Sequence, residues 1–162
     1  MKVLVTGATG FIGAKLIDSL SLSGNYEIVA LVRSDNYQRA RENVDYLVGD
    51  LMRISDWQDA LNGIDIVVHS AGRAHVLNDQ SDDPLAEFRA LNTAATLKLA
   101  HLSLSYGVKR FIYLSTLKVL GEYTEGELAF SIDSKFNPVD PYSVSKFEAE
   151  VGLKELTENE SL

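Results

Sequence analysis

Tyr142 and Lys146 form a pair of side chains suited to proton transfer. They are four positions apart, so their side chains share one face of a helix. Asp140 and Pro141 directly precede them and are typical of a helix start, with aspartate as N-cap and proline at the first helical position. An ammonium beside a phenol favours the phenolate and lowers the phenol's pKa from about 10. Tyr142 is therefore a candidate general acid or base; the alternative is an exposed tyrosine and a solvated lysine on a surface helix.

A glycine-rich turn near the N-terminus has the composition of a phosphate-binding loop. Gly7, Gly10 and Gly13 lie between the apolar run Lys2–Thr6 and a helix-like run to Leu22. The first two glycines allow the backbone to turn sharply and approach a pyrophosphate, and the third allows the helix to pack closely on the strand. The phosphates then lie on N–H groups at the positive end of the helix dipole. The order of strand, turn and helix favours nucleotide binding over a glycine turn without a ligand.

Two further positions could recognise the rest of a dinucleotide. Asp50 follows the third predicted strand and either accepts a hydrogen bond from an adenine amino group or caps the turn. Arg33 ends the second predicted strand, about twenty residues after the glycine turn, where an acidic residue would bind the ribose of NAD and an arginine would hold the 2′-phosphate of NADP. Arg33 followed by Ser34 favours NADP, and Asp35 leaves NAD open.

Along the chain, short apolar runs typical of strands alternate with segments that have a helical pattern. We predict strands near residues 2–6, 27–32, 45–48, 64–69 and 109–115, and helices near 11–23, 36–42, 55–61, 82–106 and 142–157. The alternation predicts βαβ units, and the nearly continuous apolar strands predict helices on both sheet faces. The predicted fold is α/β, a Rossmann-like doubly wound parallel sheet.

Ligands of such a sheet bind beyond the carboxyl ends of the strands. Two predicted loops leave from that edge, at residues 72–83 and 117–140. Ser115 and Thr116 end the fifth predicted strand there, so a hydroxyl could hydrogen-bond a substrate alcohol or carbonyl beside Tyr142. The alternative is an ordinary polar strand end.

Composition excludes several classes of function. The 162 residues suffice for one domain with a sizeable core, and 46% hydrophobic residues fit a globular protein. A net charge of −8, without runs of lysine or arginine, argues against nucleic-acid binding. The absence of cysteine excludes disulfides, thiolate metal sites and a catalytic thiol. With no apolar run of about 18 residues and only a short strand after Met1, we predict no membrane segment and a cytoplasmic protein.

The histidines offer no further chemistry. His69, His75 and His101 have no partners at metal-ligand spacing, and no Ser-His-acid arrangement includes them. We therefore predict no metal site. His101 is predicted to lie on a helix surface, and His69 at a strand end to be structural, with a place in the cofactor cleft as the alternative.

Together these motifs resemble the extended short-chain dehydrogenase/reductase family, the NAD(P)-dependent nucleotide-sugar epimerases, dehydratases and reductases. The resemblance extends over essentially the whole chain. In chain order, the matching segments are Thr6–Gly13, Gly49–Leu51, His69–Gly72, Asn92, Ser115–Gly121 and Pro141–Lys146.

The resemblance implies a role for each matched residue. Tyr142 would be the acid/base, Lys146 would hold the ribose hydroxyls and tune the tyrosine, and Thr116 would bond the reacting sugar oxygen. The glycine turn would hold the pyrophosphate, and Asp50 with its neighbour would flank the adenine. The implied cofactor-binding residues are Gly7, Gly10, Phe11, Ile12, Gly13, Arg33, Asp50, Leu51, Ala71, Gly72, Asn92, Ser115, Tyr142 and Lys146.

The residues after the catalytic threonine separate branches of that family. In the 4,6-dehydratase branch an Asp-Glu pair there eliminates water; Leu117 and Lys118 occupy those positions here, which argues against dehydration. The sequence segments that begin at His69, Asp83 and Ser115 most resemble those of a bacterial branch of UDP-hexose C4 epimerases and 4-ketoreductases used in polysaccharide synthesis. The implied substrate is a nucleotide sugar.

Two functions stay open from the sequence. The first is an enzyme that moves a hydride between C4 of the nucleotide sugar and the nicotinamide, with Tyr142 as acid/base. Family members are about twice as long, which implies that residues 1–162 are the NAD(P)-binding domain and that the C-terminal substrate domain is absent from this chain. The second function is therefore a non-catalytic dinucleotide-binding or regulatory module.

Apolar stripes mark two of the predicted helices. Family members pair these helices across a two-fold axis as a four-helix bundle, which implies a homodimer through the helices near 82–106 and 142–157. The alternative is that the stripes only face the sheet. The stripe residues are Leu85, Phe88, Leu91, Leu99, Leu102, Phe147, Val151 and Leu156.

Overall fold

The computed structural model describes residues 1–36, 41–53, 57–74, 81–124 and 129–160. The predicted helix near 36–42 falls mainly on residues outside these ranges, as does His75. The elements in chain order are β1 (Lys2–Thr6), α1 (Phe11–Ser23), β2 (Glu27–Val32), β3 (Val44–Val48), α2 (Trp57–Leu61), β4 (Ile66–His69), α3 (Pro84–Phe88), a π-helical segment (Arg89–Ala95), α4 (Thr96–Ser105), β5 (Arg110–Tyr113), a 3-10 turn (Leu117–Leu120) and α5 (Pro141–Glu160).

The five strands form one parallel sheet in the order β3-β2-β1-β4-β5. β1 is central: Val3 pairs with Ile28 on one side and with Ile66 on the other. The strand order reverses between β1 and β4, which is the Rossmann-like arrangement and the usual place for a ligand crevice. The predicted fold class is confirmed, and the predicted bounds of β1, α1 and β2 agree residue for residue.

Residues Met1–Gly72 and Lys98–Leu114 form one compact unit, called here the first unit. Its core lies between α1 and the sheet, where Ile17 of α1 packs with Val3, Val5 and Ala30 of the central strands. Burial of each such valine or isoleucine stabilises the fold by about 1.5–3 kcal/mol. The continuous apolar strands are thus buried, as the sequence predicts for a sheet covered by helices.

The second unit comprises Arg73–Leu97 and Ser115–Ser161. In it α5 packs on α3 and on the π-helical segment. α5 also approaches the start of α4 closely at Gly152, where a Cβ would lie 2.7 Å from Leu97 Cδ2. A bidentate ion pair joins α5 to the π-helical segment, with Arg89 Nε donating to Glu148 Oε2 at 2.8 Å.

The structure corrects several predicted boundaries. The single helix predicted over 82–106 begins at Pro84 and contains seven residues of π-helix, because a π turn inserts one residue without changing the apolar pattern enough to be read. β4 begins only at Ile66, and β5 ends at Tyr113. The predicted loop 117–140 contains the 3-10 turn, and α5 extends to Glu160. Parts of both predicted loops, residues 75–80 and 125–128, lie outside the described ranges.

Among the described residues, no helix is both long and apolar enough to cross a bilayer. In the same part of the chain, no group of three or more histidine, aspartate or glutamate side chains is arranged to hold a metal ion.

Candidate active site

Glycine is required at Gly7 in the turn between β1 and α1 and at Gly13 in the first turn of α1. Gly7 has a φ of +68°, and a Cβ there would lie 2.6 Å from the Ala71 nitrogen. A Cβ on Gly13 would lie 2.2 Å from the Gly7 carbonyl oxygen. Both distances are too short for any side chain, so the turn and the start of α1 are packed backbone against backbone.

The first turn of α1 fits an anionic group. Gly10 is the N-cap and offers no side-chain hydrogen bond to the helix. Phe11 and Ile12 follow it with 89% and 56% of their surfaces exposed. N–H groups without a side-chain cap, at the positive end of a helix dipole, bind phosphates. The residues present therefore fit the pyrophosphate of a dinucleotide.

Buried side chains at the ends of β1 and β4 support this turn. Thr6 Oγ1 shares a 2.6 Å hydrogen bond with His69 Nδ1 and accepts one from the Ala71 nitrogen at 3.3 Å. Ser70 Oγ donates to the Thr6 carbonyl at 2.7 Å. The His69 ring stacks on Tyr113 with centroids 5.9 Å apart. His69 is fully buried, which agrees with the predicted structural role.

The other predicted residues of the first unit lie at loop positions. Arg33 directly follows β2 and is exposed. Asp50 is also exposed, and its Oδ1 accepts a hydrogen bond from the Met52 nitrogen at 2.9 Å, so the predicted turn cap is present. Leu51 is buried, and Gly72 is exposed after β4. Contacts of these residues with a cofactor stay predictions.

In the second unit Thr116 begins the 3-10 turn, and its Oγ1 accepts a hydrogen bond from the Lys118 nitrogen at 3.3 Å. Ser115 and Thr116 therefore do not end β5 as predicted, because the threonine side chain caps the following turn instead of extending the strand. Ser115 is exposed. Thr116 lines a cleft of about 460 Å³ together with residues that include Leu117, Phe130, Ser131, Phe136 and Glu150.

The start of α5 is held by reciprocal hydrogen bonds. Asp140 Oδ1 accepts from the Ser143 nitrogen at 2.7 Å, and Ser143 Oγ accepts from the Asp140 nitrogen at 3.1 Å. This is a capping box, and it confirms the predicted aspartate N-cap. It places Tyr142 in the first turn of α5.

Tyr142 and Lys146 lie one turn apart on α5 in different surroundings. Tyr142 is half-buried, with its ring edge-on to Phe88 at 6.2 Å between centroids. Lys146 is only 4% exposed, so it is not the solvated surface lysine of the alternative interpretation. Burial lowers the pKa of Lys146 to about 8, opposed by the negative charge of Glu150. Helix α5 thus buries the ammonium of Lys146 about one turn after the phenol of Tyr142.

Asn92 links two segments of the second unit. Its Oδ1 accepts from the Arg73 nitrogen at 2.7 Å, and its Nδ2 donates to the Arg73 carbonyl at 3.1 Å and to Ser145 Oγ at 3.0 Å. Thr93 Oγ1 adds a bond to the Ser145 carbonyl at 2.8 Å. Asn92 is 1% exposed and therefore fixes Ser145, the residue before Lys146. The predicted contact of Asn92 with a cofactor stays a prediction.

Residues 3–162 match the model of the NAD dependent epimerase/dehydratase family. The chain belongs to this family. The predicted resemblance to this family is confirmed.

Named relatives show the general kind of protein. The UDP-glucose 4-epimerase of Vibrio cholerae is 38% identical over 161 residues, which cover 99% of this chain and 48% of that protein. The dTDP-D-glucose 4,6-dehydratase of Mus musculus is 34% identical over 160 residues, covering 92% and 44%. The chain therefore spans about half the length of these relatives.

A solved structure agrees with the fold. The UDP-glucuronic acid 4-epimerase from Bacillus cereus in complex with NAD has a TM-score of 0.85 and 26% identity, covering 100% of this chain and 54% of that chain. The relatives cited here are thus nucleotide-sugar epimerases and a dehydratase, and the cited structural neighbour is in complex with NAD.

Three polar residues of the second unit are not predicted from the sequence in the roles that they have here: Ser143, Ser145 and Lys118. Of these, only Lys118 is named among the sequence predictions, as a departure from the dehydratase pair. The spacing Asp140-x-x-Ser143 is a capping-box signal that could have identified Ser143. Nothing in the local pattern signals the bonds of Asn92 or Lys118, because their partners are distant in the sequence.

Proposed function

We propose that this chain is the NAD(P)-binding and catalytic part of an enzyme that acts by hydride transfer at C4 of a UDP-hexose-like nucleotide sugar, as an epimerase or a 4-ketoreductase. The observation that carries the proposal is Lys146, buried one helical turn after Tyr142. Burial of a lysine opposes folding unless its charge has partners. A module that only binds dinucleotides would use Lys146 at the ribose, but it has no need of Tyr142 and Thr116 in combination with it.

Tyr142 would move the proton of the reaction. In the oxidative direction its phenolate accepts the proton of the C4 hydroxyl, and in the reductive direction the phenol returns it. Lys146, one helical turn further along α5, would stabilise the negative charge that develops on the Tyr142 oxygen during the reaction. Thr116 Oγ1 would hydrogen-bond the same sugar oxygen and orient it. A bound nicotinamide supplies the hydride acceptor and donor.

The first unit would hold the dinucleotide. Its glycine turn, with the exposed start of α1 at Phe11 and Ile12, would bind the pyrophosphate. Asp50 and Leu51 would flank the adenine, and Ala71 with Gly72 would line the path of the cofactor. In the second unit, Ser115 and Lys146 are the proposed cofactor contacts, and the buried Asn92 would support Lys146 by fixing Ser145.

For the cofactor we propose NADP with NAD as the alternative. Arg33 is exposed directly after β2, where a guanidinium would pair with a 2′-phosphate. The structural neighbour from Bacillus cereus is in complex with NAD, which favours the alternative. Asp35 is close enough in sequence to serve NAD instead.

The branch of the family supports a C4 reaction without dehydration. Leu117 and Lys118 stand where the dehydratase branch would need two carboxyl groups. The 38% identity to a UDP-glucose 4-epimerase points in the same direction. Roles in polysaccharide synthesis and a cytoplasmic location remain part of the proposal.

A homodimer through the helices near 82–106 and 142–157 is the proposed assembly. Of the stripe residues, Phe88, Leu99 and Leu156 are buried within this chain, whereas Val151 is 40% exposed. Part of each stripe thus packs inside the chain. The exposed stripe residues form the surface that a second copy would cover. Light scattering tests this, and a monomer would contradict it.

Replacement of the proposed acid/base tests the function. Tyr142→Phe should lower the interconversion of UDP-glucose and UDP-galactose by about 10²–10⁴-fold, because general acid–base catalysis is lost. The affinity for NADH or NADPH, measured by fluorescence titration, should not change. Tyr106→Phe, at a tyrosine that is 39% exposed, is the control and should behave like wild type.

Each outcome is informative. Equal rates for wild type and Tyr142→Phe would refute the assignment of the acid/base. A wild-type chain that binds the dinucleotide but neither binds nor converts a UDP-sugar would favour the non-catalytic module.

A further inference from the structure

We propose that the ion pair between Lys118 and Asp140 is a positioning device that holds the Thr116 hydroxyl and the Tyr142 phenol in register for one substrate oxygen. The inference rests on the proposed function, which gives these two groups a shared substrate. It assigns Lys118 a role in this chain other than the acid–base role that a carboxylate at the same position has in the dehydratase branch.

The first half of the device is the 3-10 turn. The backbone nitrogen of Lys118 donates to Thr116 Oγ1 at 3.3 Å, so the turn fixes the threonine side chain. The ammonium of the same residue contacts Asp140 Oδ2 and lies 3.3 Å from Glu122 Oε1. Lys118 is therefore bonded to the proposed substrate-binding threonine through its backbone and to the start of α5 through its side chain.

The second half is the carboxylate of Asp140, whose two oxygens have different partners. Oδ1 accepts from the Ser143 nitrogen and caps α5, while Oδ2 faces the ammonium of Lys118. Asp140 precedes Tyr142 by two residues, as Thr116 precedes Lys118 by two. Each end of the ion pair thus lies two residues from a group proposed to contact the sugar.

A second link joins the same two segments without using charge. The Asn137 nitrogen donates to the Val119 carbonyl at 2.9 Å. Because this bond remains when Lys118 is replaced, the segments should stay associated, and the ion pair should govern their fine alignment. A displacement of about 1 Å at a catalytic group is enough to lower a rate strongly.

The charges of the pair favour a geometric role over a stabilising one. The hydrogen bond to Asp140 raises the pKa of Lys118. Burial of Asp140 acts against ionisation, but the hydrogen bonds from Lys118 and Ser143 lower its pKa overall. Both groups are therefore charged at neutral pH. Their side chains are 44% and 26% exposed, and ion pairs at that exposure add little to stability.

The test compares Lys118→Gln with Lys154→Gln, its matched control on α5. Lys154 forms a 3.8 Å ion pair with Glu158 and is 76% exposed. We expect Lys118→Gln to lower kcat for the UDP-sugar about tenfold while KM and the NAD(P)H dissociation constant change less than about twofold. Lys118→Arg should restore most of kcat, and Lys154→Gln should match wild type.

Two further measurements make the result decisive. Asp140→Asn combined with Lys118→Gln should be no worse than the poorer single variant, because both remove one interaction. Hydrogen exchange, which needs no turnover, should show faster exchange of the Ser143 and Asn137 amides in Lys118→Gln and no change in Lys154→Gln.

The outcomes separate the inference from the proposed function. If wild type converts the sugar and Lys118→Gln does so at the same kcat, or if the effects of the two single variants add fully, the positioning role is overturned. If wild type converts no sugar, the proposed function fails, and the exchange rates alone then decide whether Lys118 aligns the segments. Unchanged exchange at Ser143 and Asn137 overturns the inference in that case.

Discussion

The two units of this chain build their sites by different means. In the first unit, the glycine turn is set by backbone contact, with Gly7 and Gly13 so close to neighbouring main-chain atoms that no Cβ fits. In the second unit, the helix that carries Tyr142 and Lys146 is set by side-chain hydrogen bonds, above all those of Asn92. Close backbone packing is disrupted when a side-chain atom is added. A buried hydrogen bond is instead disrupted when one of its partners is removed, because the other partner is left unsatisfied.

Each means of construction suits a different task. A parallel sheet with a tight turn provides a fixed surface for a group that is the same in every reaction, the pyrophosphate. Polar links such as Lys118–Asp140 and Asn92–Ser145 can change with few substitutions, which suits the side of the protein that would contact the variable sugar. Four changes test whether the contrast is real, in order of decreasing expected effect.

Gly13→Ala should have the largest effect, because its Cβ would lie 2.2 Å from the Gly7 carbonyl oxygen. We expect the affinity for NADH and NADPH to fall by about 100-fold or more, together with about 1–3 kcal/mol of stability. Fluorescence titration and thermal unfolding measure the two effects. Gly24→Ala is the control, since Gly24 has a φ of +68° but nothing within 4 Å; it should lose about 1–2 kcal/mol and keep its affinity. Normal cofactor binding by Gly13→Ala would refute the claim of backbone packing.

Lys146→Met should stabilise the protein at neutral pH while removing activity. The pKa of Lys146 is lowered from 10.5 to about 8, so the folded state binds its proton more weakly than the unfolded state. Below pH 8 the lysine is charged in both states and wild type carries the full burial penalty, about 3 kcal/mol at 1.36 kcal/mol per pKa unit. Between pH 8 and 10.5 the unfolded state binds more protons, so wild type regains stability relative to the variant as pH rises.

Unfolding by denaturant at several pH values measures this difference. Lys154→Met is the control, because Lys154 is 76% exposed and should show no comparable pH dependence. A stability difference between wild type and Lys146→Met that stays constant from pH 7 to pH 10.5 would mean that the charge of Lys146 is not the cause.

Asn92→Leu should disturb the second unit by leaving its buried partners unsatisfied. We expect a loss of about 1–3 kcal/mol, seen as a lower Tm, and a lower kcat because Ser145 is no longer fixed next to Lys146. Asn43→Leu is the matched control in the first unit, where Asn43 makes three hydrogen bonds to Ser21 and Tyr26. It should lose similar stability with kcat unchanged. Equal effects of both variants on kcat would break the contrast between the units.

Arg33→Glu should have the smallest effect and concerns cofactor choice alone. Loss of a charge-assisted hydrogen bond to a 2′-phosphate should weaken NADPH binding about tenfold or more while NADH binding is kept or improved. Parallel titrations with both dinucleotides measure the ratio. An unchanged ratio would remove Arg33 from the cofactor site and leave Asp35 as the residue to examine.

The sheet and its first elements were predictable for one reason. β1, α1 and β2 follow a local pattern of apolar residues and glycines, and local pattern is what periodicity reports. The same holds for the Asp140 cap. The π-helical segment and the end of β5 were not predictable in this way, because they depend on where Asn92 and Thr116 find partners.

The fold class, the glycine turn and the Tyr142–Lys146 spacing follow from residues that are close together in the chain. The burial of Lys146, the bonds of Asn92 to Arg73 and Ser145 and the pairing of Lys118 with Asp140 are visible only in the folded structure. Burial and long-range hydrogen bonds depend on the packing of distant segments, and no local pattern encodes which distant group will be the partner.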